Sequence, residues 1–564
     1  MFLKRKLSKN KDGSVREYLQ IVESRRINGE PRQVVLLTLG NVRDPEVQRK
    51  RDDLIRVLAE SSEKIEILNL EKDLSADWSK SWGLGLVFQR LWKESGLRAI
   101  FEFEMKDFEV EFSVEQAVFN MILNRLSQPC SKRALGLWEE DSYNLPHFEL
   151  HQYYRAMDYL IEKKGSLEQR VFAQMRDLFC QSLDIVFFDT TSLVYFGEED
   201  PEAKKARELK REQKAKKTKE KGTAVGETKL LSPLLARGFS KDHRSDLPQI
   251  VVGVLMSKEG IPLAHEVFPG NTNDVSCFKE IITQVSQKYS IGKVILVGDR
   301  GMICQKNLDF LHEKKLEYIL GYRMRTIPKH DRHWVLSKVD LKRVRQDLKW
   351  KEVSYNDQRL LICYNPERAI LDAEKREDIL SRIRKRIKDG SILSIVDNPN
   401  YKRFLKIQGQ APKLDPEAIE RDAAYDGMYV LTSNTKLSGG QVIETYKGLW
   451  QVEHAFRNLK TELEMGPIYH WKDDRIRAHV MVCFLALVLR TIFYKKLRAE
   501  DPQVSYQEVF SSLRSLEAVG LKFKNKSVVL RTEPKALAQL AFRALKMTAP
   551  PRIVSSQLIP ESKV

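Results

Sequence analysis

The sequence predicts an α/β protein that carries a β-hairpin module at its N-terminus and an all-helical domain ahead of the α/β part. Residues 1–40 contain two alternating apolar runs, VREYLQIV and RQVVLLTL, joined across Asn28-Gly29-Glu30-Pro31, a pattern typical of an antiparallel hairpin. From about 76 to 182, apolar residues recur three and four positions apart, as in VEQAVFNMILNRL, which predicts helices. Short apolar runs then take over, and they predict the strands of an α/β layer.

Five such runs alternate or stay apolar over five to eight residues, the length of a buried strand. Helical stretches at about 274–288 and 302–314 separate some of them, so we expect one sheet covered by helices. The predicted strands are DIVFFD (184–189), QIVVGVLM (249–256), KVILVGD (293–299), LEYILGY (316–322) and MYVLTSN (428–434).

Two segments interrupt this layer. Residues 201–222 contain ten Lys and Arg residues against four Glu residues and almost no large apolar side chain. Such a run is either a solvated loop or a contact for the DNA backbone, and both interpretations stay open. Residues 323–425 combine strand-like LKWKEVSYNDQRLLICYN, a charged helix near 370–388 and a polar stretch.

Charge and composition narrow the possible partners. The 564 residues carry a net charge of +18, and a hydrophobic content of 42% excludes wholesale disorder. A basic excess of this size favours a polyanion, with nucleic acid first and an acidic membrane surface second.

The cysteine pattern and the apolar runs indicate the cellular compartment of the protein. Six scattered cysteines without a CxxC pair fit neither a zinc ribbon nor a disulfide framework. The apolar run from Val480 to Leu489 spans ten residues, short of the about 20 that cross a bilayer. MFLKRKLSKNKDG, at the start, has no apolar h-region. We therefore expect a cytoplasmic protein that does not cross a membrane.

Two aspartates end predicted strands. Asp189 precedes Thr190-Thr191-Ser192, and Asp299 precedes Arg300-Gly301. Because α/β sheets present their chemistry at the carboxyl ends of strands, the two could converge on one metal site. Taken singly, each could instead start a turn or cap a helix.

A third carboxylate, Glu453, lies in the helix predicted to begin near Gly440. At 100° per residue one stripe of this helix carries aromatic, acidic and basic side chains together, while apolar neighbours supply a buried face. Alternatively, Glu453 forms a surface ion pair with Arg457. The stripe consists of Tyr446, Trp450, Glu453, Arg457 and Lys460.

Two aspartates and a glutamate form an oxygen-ligand set that suits Mg²⁺ or Mn²⁺. Two such ions would stabilise the attacking and leaving oxygens of a displacement at phosphorus. The polyanion implied by the net charge then becomes the substrate.

At these residues the chain resembles the DDE transposases of bacterial insertion sequences, in particular the group with a β-rich insertion inside an RNase-H-like catalytic domain. The similarity spans residues 184–490 and is carried by five strings in the family's order. They are DIVFFDTTSLVYF, GFSKDHRSDLPQIVVGVLMSKEGIPLAHEVFPGNTND, VILVGDRGM, YKGLWQVEHAFRNLK and IYHWKDDRIRAHVMVCFLAL.

The resemblance implies that Asp189, Asp299 and Glu453 are the catalytic, metal-binding triad, with two Mg²⁺ or Mn²⁺ ions. In the family's helix signature, Tyr446, Glu453 and Lys460 match, whereas Leu449 stands where the family has an arginine. In the family this arginine binds phosphate. Here that contact would need a cation from elsewhere on the helix, such as Lys447 or Arg457.

Further residues are expected to contact DNA. The polar stretch GFSKDHRSDLPQ is either a DNA and active-site contact or an ordinary polar loop. The full predicted DNA-binding set is Tyr446, Lys447, Arg457, Lys460, Arg300, Lys241, His243 and Arg244.

The expected domains combine this resemblance with the sequence patterns described above. An RNase-H-like core, 183–322 with the basic loop 200–230 and then 426–497, is interrupted by a β-rich insertion at 323–425. The remaining boundaries are a hairpin module at 1–72, a helical domain with possible DNA binding at 73–182 and a helical C-terminal segment at 498–564.

The expected activity is that of a cut-and-paste transposase that cleaves and joins double-stranded DNA at terminal inverted repeats and inserts it into target DNA. A homodimer on paired ends, acting near the bacterial nucleoid, is implied by the family. The alternatives are an RNase-H-like nuclease without strand transfer and a domesticated DNA-binding protein.

Overall fold

A computed structural model describes most of the chain in two compact units. The described residues are 1–27, 29–61, 74–178, 184–196, 234–289, 294–345, 348–389, 398–408, 411–523 and 526–558. The predicted basic loop at 200–230 lies outside these residues.

The first unit comprises Met1–Ser79, Ala518–Thr532 and Pro550–Val564. Its N-terminal part is an antiparallel sheet in which Ile27 pairs with Glu30 across the predicted turn, so the hairpin is confirmed. A third strand, which the sequence did not reveal, precedes the hairpin. The elements are β1 Phe2–Lys9, β2 Val15–Ile27, β3 Glu30–Asn41 and α1 Pro45–Glu60.

The C-terminal segment 498–564, predicted to be helical, is only partly so. Alternating residues such as those of KSVVLR form strands here, and they join a strand from the start of the predicted helical domain in a four-stranded sheet of order β18-β17-β16-β4. The strands are β4 Leu74–Ser81, β16 Glu517–Phe523, β17 Lys526–Arg531 and β18 Ile553–Leu558.

The second unit comprises Lys80–Glu517 and Glu533–Ala549. Its first part is helical, as the periodicity predicts. The helices are α2 Gly83–Glu94, α3 Leu97–Met105, α4 Val114–Ser127, α5 Leu135–Glu140, α6 Leu150–Glu162 and α7 Lys164–Leu178.

The centre of this unit is a nine-stranded mixed sheet of order β10-β11-β12-β15-β9-β8-β5-β6-β7. β5 runs parallel to β8, and β8 runs parallel to β9, whereas β5, β6 and β7 are successively antiparallel. The bounds are β5 Ile185–Val194, β6 Gln249–Ser257, β7 Pro262–Pro269, β8 Ile295–Gly298, β9 Glu317–Tyr322, β10 Lys342–Arg345, β11 Leu348–Tyr355, β12 Gln358–Tyr364 and β15 Met428–Ser433.

All five strands predicted for this layer are present. The sequence missed β7, because Pro262, His265 and Glu266 mask its apolar alternation, although the strand is buried. The predicted helices that separate the strands are also present, as α8 Asp274–Tyr289 and α9 Gln305–Glu313.

The insertion at 323–425 is less β-rich than expected. Its strands β10–β12 extend the central sheet, and the rest is a mainly helical segment with its own small apolar core. That segment holds α11 Pro366–Lys388, α12 Pro399–Lys402, β13 Leu405–Gln408, β14 Ala411–Leu414 and α13 Pro416–Ala423, after α10 Lys329–Val335.

The remaining helices follow the sheet. They are α14 Gly439–Lys447, α15 Trp450–Arg457, α16 Asp473–Glu500, α17 Tyr506–Arg514 and α18 Ala536–Ala544. By length and composition α16 could cross a membrane, but 89% of its most apolar window is buried inside the protein. It is the central core helix, as expected for the run from Val480 to Leu489.

Candidate active site

Asp189 lies at the point where one neighbour of β5 ends. The strand continues past Asp189 to Val194, and its residues from Thr190 to Leu193 are buried and pair with β6. The parallel pairing with β8 stops one residue earlier, at Phe188 opposite Gly298. Asp189 is thus an internal strand residue rather than the strand end that the sequence predicted, and it lies one residue beyond the last pair with β8.

Asp299 directly follows Gly298 and so continues the same register beside Asp189. It begins a short 3-10 turn, Arg300–Met302, and its carboxylate is exposed. The sheet therefore brings the two predicted aspartates together where the parallel pairing of β5 with β8 stops.

The pKa of Asp189 is unusual for a carboxylate. Burial, together with the charges of Asp299 and Asp274, raises its pKa to about 6 against the opposing effects of Lys241 and the Thr190 N–H. The Thr190 N–H donates to Asp189 Oδ1 at 2.7 Å. Two neighbouring carboxylates thus repel that of Asp189, which is the condition that a bound cation relieves.

Asp274 is a site residue that the sequence analysis did not single out. It is the first residue of α8, and its Oδ1 accepts a 2.6 Å hydrogen bond from Thr190 Oγ1. A Cβ on Gly301 would lie 3.2 Å from its Oδ2, so Asp274 also adjoins the turn after Asp299. The signal was available as the Asp of PGNTND, but Asp at a helix start is common.

Lys241 supplies the local positive charge. Its ammonium lies 3.5 Å from Asp189 Oδ1 and donates to the Thr190 carbonyl oxygen at 2.5 Å and to Thr190 Oγ1 at 3.0 Å. A cleft of about 290 Å³ opens beside these groups, and its lining also includes Asp274 and Arg323. In this conformation, Lys241 partly neutralises the acidic site.

The predicted helix with Glu453 is broken at Gly448 into α14 and α15. A Cβ on Gly448 would lie 2.5 Å from Cζ of the buried Phe187, so only glycine allows this close approach to β5. A π-helical turn, Asn458–Glu462, follows α15. The single straight stripe predicted from the sequence is therefore wrong in detail.

Tyr446 connects this helical segment to the aspartates. Its hydroxyl donates to Asp299 Oδ1 at 3.4 Å. Burial raises the pKa of Tyr446, and the charges of Asp299 and Glu453 raise it further. Gly321 leaves room for this contact, since a Cβ there would lie 2.7 Å from the Tyr446 hydroxyl.

Glu453 and Arg457 are exposed, and Val452 and Phe456 form the buried face of α15, as predicted. Leu449, at the family's arginine position, is buried in the turn between the helices. A side chain in this place packs into the core instead of reaching the cleft.

The basic side chains predicted to bind DNA have different partners in the structure. Lys460 donates to both carboxylate oxygens of Asp242, at 2.7 and 3.0 Å, and Lys447 lies 3.8 Å from Glu444. Arg244 forms a bidentate pair with Asp246, with both distances 2.9 Å.

Arg300 and His243 are exposed. His243 adopts a left-handed backbone conformation with φ of 59°. Arg323, which the sequence did not indicate, donates from Nε to the Arg300 carbonyl oxygen at 3.1 Å and so braces the turn after Asp299.

The donor set suits a hard divalent cation, because Asp189, Asp299 and Asp274 offer only carboxylate oxygens. Within the described ranges, however, no group of three His, Cys, Asp or Glu side chains is gathered closely enough to hold an ion. The structure thus unites two of the three predicted carboxylates and leaves Glu453 apart from them, near Tyr446.

Two family models match this chain. The transposase DDE domain matches residues 227–489, and the N-terminal domain of the IS1634 family transposases matches residues 3–69. Together the two matches cover more than half of the chain. The first match includes Asp299 and Glu453 but begins after Asp189.

Comparison with solved structures gives remote similarities. One is a piggyBac transposase synaptic complex with hairpin DNA, solved by cryo-EM, with 10% identity, a TM-score of 0.36 and coverage of 77% of this chain and 79% of that chain. Another is a Mos1 transposase paired-end complex with the left transposon end, with 10% identity, a TM-score of 0.14 and coverage of 38% and 60%. No curated protein matches the chain.

The two family matches identify the chain as a member of the DDE transposases of insertion sequences. It is therefore an enzyme of DNA transposition.

Proposed function

We propose that this transposase works by cut and paste, with Asp189, Asp299 and Glu453 holding the divalent cations of the reaction. The observation that carries the proposal is that Asp189 and Asp299 lie beside each other where β8 ends, and that burial of Asp189 and its repulsion by Asp299 raise the pKa of Asp189. Two Mg²⁺ or Mn²⁺ ions, when bound, would activate the attacking oxygen and stabilise the leaving oxygen.

Strand order and direction support an RNase-H-like core. Three antiparallel strands, β7, β6 and β5, are followed by two parallel ones, β8 and β9. Asp189 lies on the middle one of these five strands and Asp299 follows the adjacent one, while α15, which carries Glu453, packs against β5 and β6.

The reaction has two displacements at phosphorus. In the first, a water oxygen forms a bond to phosphorus, the bond between phosphorus and the 3′ oxygen breaks, and that oxygen takes a proton. In the second, the freed 3′-OH forms a phosphodiester with the opposite strand or with target DNA, and one phosphodiester bond breaks there. The number of phosphodiesters is conserved in the second step, so joining needs no other energy source.

The residues around the carboxylates position the DNA. Lys460 and Arg457 would contact phosphates, which fix the register of the duplex. Tyr446 holds Asp299 through its hydroxyl, and Lys447, Arg300, Lys241, His243 and Arg244 complete the proposed contact surface. Lys460 can reach a phosphate only after leaving Asp242, so DNA competes with that carboxylate.

The substrates would be the terminal inverted repeats that bound the element, together with a target duplex. We expect a homodimer on the paired ends, because two ends must be cut and joined together, and action on the DNA of the bacterial nucleoid in the cytoplasm.

A strand-transfer assay tests this proposal. Labelled duplexes that carry the inverted repeats flanking the reading frame should be cut in Mg²⁺ and then joined to a target, and pre-nicked ends should join directly. Asp189→Asn, Asp299→Asn and Glu453→Gln should each abolish cutting while binding to the ends persists. Hydrolysis without any joined product would favour an RNase-H-like nuclease, and binding without metal-dependent cutting would favour a domesticated DNA-binding protein.

A further inference from the structure

The helical segment of the insertion carries a dense positive charge that the catalytic site does not use. Residues 382–414 contain nine Lys and Arg residues against two aspartates. The charge is concentrated at the C-terminal end of α11 and on the short elements that follow it. Five exposed lysines form what we call the basic patch: Lys385, Lys388, Lys402, Lys406 and Lys413.

A small apolar core holds these lysines together. Leu380 and Ile383 from α11 pack against Tyr401 and Phe404 in a cluster separate from the main core. The Arg386 guanidinium lies 5.1 Å from the Tyr401 ring centroid, which joins the end of α11 to α12. The patch is therefore a built surface of one folded segment and not a flexible run of charges.

The strand pair β13–β14 brings like charges face to face. Lys406 pairs directly with Lys413 across the two antiparallel strands. Like charges in this arrangement destabilise a strand pair, and in the described part of the chain neither lysine forms an ion pair. An anion over the pair would remove the repulsion.

Carboxylates compensate only the arginines around the patch. Glu377 lies 2.5 Å from Arg384, and Asp422 lies 3.4 Å from Arg403. The lysines of the patch have no such partner among the described residues. Basic residues in the last turn of a helix favour its dipole, which accounts for Lys385 and Lys388 but not for the hairpin lysines.

We propose that the basic patch binds the phosphate backbone of duplex DNA without reading its sequence. The proposal rests on the proposed function, which supplies DNA as the partner. Exposed ammonium groups recognise phosphate charge but distinguish no base edges, so the contact adds affinity and fixes the course of the DNA outside the cleavage site.

The salt dependence of DNA binding tests this proposal. The double variant Lys406→Gln/Lys413→Gln should weaken binding by roughly tenfold or more at physiological salt and lower the slope of log K against log salt by about 1.8, since each lost phosphate contact releases about 0.9 fewer counterions. The loss should be equal for duplexes with and without the inverted repeat. Lys375→Gln, an exposed lysine earlier on the same helix, is the matched control and should change the slope by less than half as much.

The double variant should unfold at the same temperature as the wild type or higher, because it removes the cross-strand repulsion. An unchanged slope, a loss confined to repeat-bearing DNA, or weaker self-association with DNA affinity intact would each overturn the proposal. Failure of the wild type to cut or join DNA would reject the proposed function but leave the binding result standing. At low salt and saturating DNA, the double variant should cut at the wild-type rate.

Discussion

The ammonium of Lys460 contacts both carboxylate oxygens of Asp242, at 2.7 and 3.0 Å. Asp242 is the neighbour of Lys241, which in turn lies 3.5 Å from Asp189. The short loop with Lys241 and Asp242 therefore contacts two predicted site residues. Lys241 lies near the predicted metal ligand Asp189, and Asp242 pairs with the predicted phosphate contact Lys460. Without DNA, Asp189 and Lys460 are therefore each paired with an opposite charge from this loop.

Asp242→Asn should release Lys460 and tighten DNA binding. Because the pair is partly exposed, its loss should change the free energy of unfolding by less than about 1 kcal/mol. The freed lysine adds one phosphate contact, so the salt slope should steepen by about 0.9. Fluorescence anisotropy at several salt concentrations measures the DNA affinity and its salt slope, and urea unfolding measures the free energy of unfolding.

The control for this variant is Asp309→Asn, which removes an exposed aspartate that accepts from the neutral amide of Gln305 at 2.8 Å. It should raise affinity much less. Equal effects of the two substitutions, or weaker binding by Asp242→Asn, would mean that Asp242 does not restrain Lys460.

Gly448→Ala should displace the helix that carries Glu453. Its new Cβ would lie 2.5 Å from the buried Phe187 ring, so α15 or β5 must move, at a cost of about 1–3 kcal/mol in stability. Movement of Glu453 relative to Asp189 should lower the cleavage rate by on the order of a hundredfold. Urea unfolding and a single-turnover cleavage assay measure the two losses.

Gly440→Ala provides the comparison, because nothing lies within 4 Å of a Cβ at that position. It lies in the first turn of the neighbouring helix, where alanine should leave stability unchanged or raise it by up to about 1 kcal/mol. If Gly448→Ala behaved in the same way, the close approach to Phe187 would not fix the position of α15.

The elements with strong periodicity were predictable from sequence. The apolar runs around Asp189 and Asp299 predicted both strands, and the position of each aspartate at the end of its run predicted that the two could lie close together. The C-terminal strands were missed because their alternation is short and lies among helical patterns. The break at Gly448 depends on the distance to Phe187, which no local pattern contains.

The partners of charged side chains were the least predictable part of the site. Lys460 and Asp242 lie 218 positions apart in sequence, and only the packing of α15 and its following turn against β5 and β6 brings them together. Asp274 was overlooked for a similar reason, since its contact with Thr190 spans 84 positions.

Stability should rise with pH because of Lys132, which is buried. Burial, together with the charge of Arg125, lowers its pKa to about 7. The groups around it are Cys130, His470, and His479 and Cys483 of α16; burial lowers the pKa of both histidines and raises that of Cys483.

In the unfolded chain Lys132 keeps its proton up to about pH 10.4. Between about pH 7 and that value the unfolded state therefore binds more protons, and the free energy of unfolding increases with pH. Lys132→Met should be more stable than the wild type at about pH 6, and its advantage should shrink by up to about 1.4 kcal/mol per pH unit above about pH 7.

Thermal unfolding of both proteins across this range measures the difference. Lys93→Met, at an exposed helix position, should show no pH-dependent difference from the wild type. A constant difference for Lys132→Met would show that the lysine keeps its charge in the folded protein.

Metal specificity of an Asp299→Cys variant tests the central claim most directly, namely that this exposed carboxylate binds the catalytic cation. A thiolate is a softer ligand than a carboxylate and binds Mn²⁺ better than Mg²⁺. We predict that Asp299→Cys cuts the transposon ends in Mn²⁺ but not in Mg²⁺, while Asp299→Asn cuts in neither and both variants still bind the ends. Cleavage by Asp299→Asn at the wild-type rate in Mg²⁺ would contradict the account.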